Sequence, residues 1–154
     1  MTVNEFIQFL GAKLQLKNFD PDAEGIFSIR ADTIKVRFVP DASGLALSAR
    51  ARLGHIETND VQMQETLLTA NLYGDGSGGS ALGVDTAGHV WLSEHFECSE
   101  ATQARFLQAL ERFINHAEYW QFRLGGEFDE FGKDQVAHDA CARPQAITQR
   151  ALRA

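Results

Sequence analysis

Between Phe27 and Leu53, apolar side chains return at every second residue in three runs: Phe27 and Ile29; Ile34, Val36 and Phe38; Leu45, Leu47, Ala49, Ala51 and Leu53. Successive side chains of a strand point to opposite faces, so this period places these residues on one face and their polar neighbours on the other. Ala31-Asp32 and Pro40-Asp41-Ala42-Ser43-Gly44 separate the runs as turns. The pattern predicts an antiparallel meander with one face buried and one solvated.

Helical spacing on either side of the meander supplies the cover for that face. Val3, Phe6, Ile7, Leu10 and Leu14 form an amphipathic stripe that Thr2 can cap. Asn18 to Gly25, with Pro21, reads as a loop. Asp60 can cap a second helix from Val61 to Leu72, with Val61, Leu68 and Leu72 on one side and Met63, Leu67 and Ala70 beside it; Gly74 ends it. Ala81 to Asp85, a Thr86-Ala87-Gly88 turn and Val90 to Glu94 read as a hairpin. Ser99 caps the longest helix, whose stripe runs through Phe106, Leu107, Leu110, Phe113, Ile114, Ala117, Trp120 and Leu124 to a stop at Gly125-Gly126. The expectation is an α+β fold: a five-stranded, mostly antiparallel sheet with three helices, in the order α-β-β-β-α-β-β-α. Residues 1–126 make a single domain, and residues 127–154, interrupted by Pro144, make a flexible or weakly helical tail.

A chain of 154 residues buries roughly 70% of its unfolded surface, enough for a core without staples. Its 14 basic and 21 acidic residues give a net charge of −7, a field that repels nucleic acid and anionic membrane. The N-terminus carries Glu5, no basic segment and only an interrupted apolar run, so neither a signal peptide nor a membrane span is expected there. Two cysteines, Cys98 and Cys141, make no disulfide framework, which agrees with a reducing, cytoplasmic setting.

Several motifs suggest chemistry and fail on context. Gly74, Gly76 and Gly79 spell GxGxxG, but they follow a helix and precede a strand, so they lack the helix N-terminus that binds a pyrophosphate. Gly76, Ser77, Gly78 and Gly79 resemble a trypsin-like nucleophile loop, yet Asp75 is displaced by one residue and the chain is too short for two barrels. His89 and His95, with Cys98 following, lie on one strand face roughly 20 Å apart, too far to share a zinc ion. Glu127, Asp129 and Glu130 form an acidic cluster without a paired base, and Cys98 and Cys141 lack an identifiable histidine. No catalytic residue, metal ligand or cofactor is nominated, and enzymatic activity has little support.

The order of elements in a small acidic chain is similar to that of the class I type III secretion chaperones, the Tir chaperone family. Leu67-Leu68-x-Ala70-Asn71-Leu72, then Leu82-Gly83-Val84-Asp85 and Gly88-x-Val90-x-Leu92, resemble that family's central pattern. Leu110-Glu111-x-Phe113 through Ala117-Glu118-x-Trp120 resembles its last helix. The resemblance covers about residues 3–124; the glycine loop and the segment after Gly126 depart from it. It implies a homodimer that holds the N-terminal segment of a secreted effector before export, without ATP, with the secretion ATPase as a further partner and with no nucleic acid or membrane. Because the second helix carries more apolar positions than one face requires, Leu68, Leu72, Leu82 and Val84 are the candidates for the dimer interface.

Assigning the apolar stripes to a core leaves Phe9, Leu16, Phe19, Ile26, Val39, Trp91, Tyr119 and Phe122 over. Two readings stand: ordinary scattered exposure, and a groove with strand edges for an extended effector segment. Alternation also gathers Arg30, Lys35, Arg37, Arg50 and Arg52 on the sheet's other face, beside Ser28 and Ser48. This basic strip is either a solvated face or a surface for acidic effector residues or RNA. A small-ligand carrier or small enzyme using the sheet-helix cavity, and an RNA-binding module, are the alternatives to the chaperone.

Overall fold

The computed structural model describes residues 1–17 and 19–125, together with the backbone of 152–153. Helix α1 (Val3–Lys13) begins at Thr2, whose hydroxyl accepts from the Glu5 amide while the Glu5 carboxylate accepts from the Thr2 amide. This capping box satisfies two amides that a first helical turn leaves without partners. Asp60 caps α2 (Val61–Asn71) by accepting from the Met63 amide, and Ser99 caps α3 (Glu100–Arg123) by accepting from the Thr102 amide. All three capping residues are those read from the sequence.

The strands are β1 (Phe27–Ala31), β2 (Ile34–Pro40), β3 (Ala46–His55), β4 (Ala81–Val84), β5 (His89–Glu97) and a two-residue β6 (Leu152–Arg153). Their order is β4-β5-β3-β2-β1-β6, with every neighbouring pair antiparallel. The first five strands are the expected meander and hairpin. β6 was not anticipated; it pairs at the outer edge of β1, with Leu152 opposite Ala31. The rest of the expected tail lies outside the described residues, as do Glu127, Asp129, Glu130 and Cys141. Leu45, read as part of the third run, precedes β3 and is exposed.

The inner face carries the predicted alternation: Phe27, Ile29, Ile34, Val36, Phe38, Leu47, Ala49, Ala51 and Leu53 are all buried. Helices α1 and α3 cover it. Phe6 of α1, Phe38 of β2 and Phe96 of β5 converge on Phe106 of α3, with ring centroids 4.8, 6.1 and 4.9 Å from it. Full burial of such a side chain is worth about 1.5–3 kcal/mol, so this cluster fixes both helices to the sheet. Helix α2 stands apart. Leu67 is its only buried residue, Met63 and Ala70 pack against the core, and Val61, Leu68 and Leu72 are 60%, 70% and 57% exposed.

Candidate functional site

The outer face of the sheet is built by the other half of the alternation. Register places Ser28, Arg37, Arg50 and Ser93 in one row across four strands, with Val39 opposite Ser48 in the next. Arg30 and Lys35 face each other on β1 and β2, and Arg52 faces Trp91. A groove of about 440 Å³ opens here, floored by Ile26 and Val39 and walled by Arg37, Arg50 and Trp91. Sequence reading had assigned these residues to separate apolar and basic sets; the sheet puts them in one place. The Arg37 guanidinium lies over the Trp91 ring, 5.8 Å from its centroid.

Asp85, in the turn between β4 and β5, holds that indole. Its carboxylate accepts from Trp91 Nε1 at 2.9 Å and from the Ala87 and His89 amides, and it contacts His89 Nδ1 at 3.1 Å. The Trp91 hydrogen bond, with the backbone and side-chain bonds of His89 and the Ala87 amide, lowers the Asp85 pKa to about 2. A carboxylate so held stays ionised and keeps the ring in position.

A second groove, also about 440 Å³, follows α1 and is lined in part by Ile7, Gly11, Leu16, Phe19 and Phe27. Leu16 and Phe19 are not left over from the core, contrary to the expectation from the apolar stripes. Both are half-buried and pack against it, the Phe19 ring lying 5.6 Å from Phe27 and 6.4 Å from Phe38. The chain turns back at Gln15, whose φ is +54°, and so returns these side chains to the sheet. Phe9 is half-buried on the same helix, against Phe6 and under the Lys13 ammonium.

Of the interface candidates, Leu68, Leu72 and Val84 are exposed and Leu82 is buried. Leu82 is therefore core, and the Asn71 side chain explains why. Its amide donates to the Leu82 carbonyl and its oxygen accepts from the Leu82 amide, both at 2.8 Å, which ties α2 to β4. Tyr119 lies far from the sheet groove in chain and place, lining a cleft of about 750 Å³ between α2 and α3, while Phe122 is 86% exposed near the end of α3.

The glycine loop is a packing device. A Cβ on Gly76 would stand 2.7 Å from the Ala70 Cβ, and one on Gly78 would stand 2.5 Å from the His116 ring. Gly76 also takes a hydrogen bond from Trp120 Nε1 and donates its amide to the Ala70 carbonyl. These contacts close the end of α2 onto α3. Among the described residues, no group of three or more His, Cys, Asp or Glu is placed to hold a metal ion. Burial pushes the Cys98 thiol up, with the Asp41 carboxylate adding to it, which disfavours the thiolate a nucleophile needs.

Sequence reasoning missed Asn71, Asp85 and Trp120 as tethers, although all three stand in the motifs that carry the family resemblance. The Tir chaperone protein (CesT) family model matches residues 5–121. The chain belongs to the Tir chaperone protein family. A Chlamydia pneumoniae protein, CPj0713/CpB0740, is 28% identical over 125 residues, covering 80% of this chain and 93% of that protein. The fold resembles that in the crystal structure of the ExsC–ExsE complex, with a TM-score of 0.64 at 23% identity, over 79% of this chain and 92% of that one. It also resembles the Yersinia pestis type III secretion chaperone SycH, solved with a stable fragment of YscM2 (TM-score 0.61, 20% identity, 77% of this chain and 99% of that one). The HopA1–SchA chaperone–effector complex gives a TM-score of 0.57 at 16% identity, over 79% of this chain and 91% of that one. As a Tir chaperone family fold, the molecule has α1 and α3 on one side of the sheet, an open outer face on the other and α2 at the side. Among the described residues, no helix is long and apolar enough to cross a membrane.

Proposed function

We propose that this chain is a cytoplasmic type III secretion chaperone that binds the N-terminal segment of a secreted effector and keeps it extended and export-competent without ATP. Membership of the Tir chaperone family is the observation that carries this reading. Two of the similar structures hold a chaperone with a bound partner, SycH with a YscM2 fragment in one and the HopA1–SchA chaperone–effector complex in the other, which supports the same role here. Physically, the α1 groove with Leu16 and Phe19, the Phe9 ring elsewhere on α1, and the sheet groove with Ile26, Val39 and Trp91 offer separate apolar footholds. A disordered segment spanning several footholds offsets its ordering entropy by wide burial.

The working form is a homodimer. Val61 and Leu68 on α2 and Leu72 at its C-terminal end are exposed apolar side chains, with Val84 exposed on β4, and a second copy would bury them. The secretion ATPase is a further partner by family analogy alone.

The test is co-expression with candidate secreted proteins followed by limited proteolysis. An N-terminal segment of one of them should become protected in the complex and remain non-globular, with and without ATP. Failure of every secreted protein to yield a protected segment would end the chaperone reading.

A further inference from the structure

We infer that the outer sheet groove reads an acidic side chain of the bound segment, together with an apolar side chain two residues away along it. The inference rests on the chaperone reading and adds the chemistry by which the segment is chosen.

Arg37 and Arg50 stand directly opposite each other in register on β2 and β3. Like charges so placed destabilise a sheet. Between described residues, neither arginine is found in an ion pair with a carboxylate, as His89 is with Asp85 and Arg112 with Glu94. A carboxylate arriving between the two guanidinium groups removes their repulsion and gains charge-assisted hydrogen bonds from both. The groove is prepared for it, because Asp85 fixes the Trp91 indole and the indole supports Arg37 from its ring face.

The apolar requirement follows from strand geometry. Val39 is two residues beyond Arg37 on the same face of β2, and Ile26 lies beside it in the groove. Side chains of an extended peptide repeat their direction every two residues, about 6.5–7 Å apart, so an acid above Arg37 and Arg50 sets an apolar neighbour above Val39 and Ile26. Ser48 and Ser93 border the same space with hydroxyls for the peptide backbone. A polyanion fits less well. The chain carries a net charge of −7, and the apolar Ile26 and Val39 line the groove beside its two arginines.

The probe is a fluorescein-labelled dodecapeptide of three Glu-Ser-Leu-Ser repeats, compared by anisotropy with the same peptide carrying Gln for Glu. The acidic peptide is expected to bind at least ten-fold more tightly, with affinity falling as salt rises. The preference should vanish in the double variant Arg37→Gln and Arg50→Gln, and binding should weaken in Trp91→Ala. The single variant Arg50→Gln should melt no lower than the parent, since it relieves a repulsion; a purely structural arginine would melt lower. Equal affinity for the two peptides, an acid preference that survives in the double variant, or stronger binding of a uridine oligonucleotide than of the acidic peptide overturns the groove. The proteolysis experiment decides the chaperone reading separately. Full protection and full affinity for the secreted segment in the double variant would remove this groove and leave that reading standing.

Discussion

Trp120, near the end of α3, donates from its indole Nε1 to the carbonyl oxygen of Gly76 at 2.9 Å, across 44 residues of sequence. This bond explains a loop that looks like a ligand motif. Gly76 and Gly78 are there because the chain runs against Ala70 and His116, where a Cβ has no room. Gly76→Ala should therefore cost about 1–3 kcal/mol through overpacking. Urea denaturation measures it, and an unchanged midpoint would mean that the loop moves freely off α2.

The two sides of α2 and β4 should respond oppositely to charge. Leu68→Arg and Leu72→Arg, at exposed positions, should give a folded monomer, whereas the wild type should scatter light at twice the 17.0 kDa chain mass. Leu82→Asp should instead unfold the chain, because an unpaired carboxylate in its buried site costs several kcal/mol. A monomeric wild type at micromolar concentration would refute the proposed interface.

Phe9→Asp and Ile26→Asp probe two of the apolar footholds, the Phe9 ring on α1 and the sheet groove. Both side chains are half-buried, and circular dichroism should show both variants folded. Binding of the secreted segment should weaken roughly ten-fold or more in each, from lost apolar contact. In the wild type it should show a large negative heat-capacity change by calorimetry. Unchanged affinity in both folded variants would locate binding elsewhere.

The hairpin clamp should titrate in acid. Asp85 has its pKa lowered to about 2, below the ordinary carboxylate value of about 3.9, so its hydrogen bonds favour the folded state above pH 4. That contribution is lost as pH falls from about 4 through 2. Trp91 fluorescence should change over this window, and in Asp85→Asn the change should be absent. A transition that persists in Asp85→Asn would assign it to another group.

Removal of residues 133–154 takes away, of the described structure, the two-residue β6. The melting temperature should fall by less than about 5 °C, corresponding to about 1 kcal/mol. A larger fall would show that the segment docks on the domain.

Local pattern was enough to specify the three helices and the first five strands. A period of two set the inner residues of β1 to β3, a period near 3.6 set the stripes of α1 and α3, and short polar side chains set all three caps, because each is a contact among near neighbours in sequence. The tertiary structure decided what depends on residues far apart in the chain. Leu82 became core because Asn71 pairs with its backbone, and Leu16 and Phe19 became packing residues because the chain reverses at Gln15. Ile26, Arg37, Val39, Arg50 and Trp91 became one groove only when β5 settled beside β3. Alternation says which side of a strand a residue takes, but strand order and register say which residues meet there, and those are set by long-range pairing that no single segment encodes.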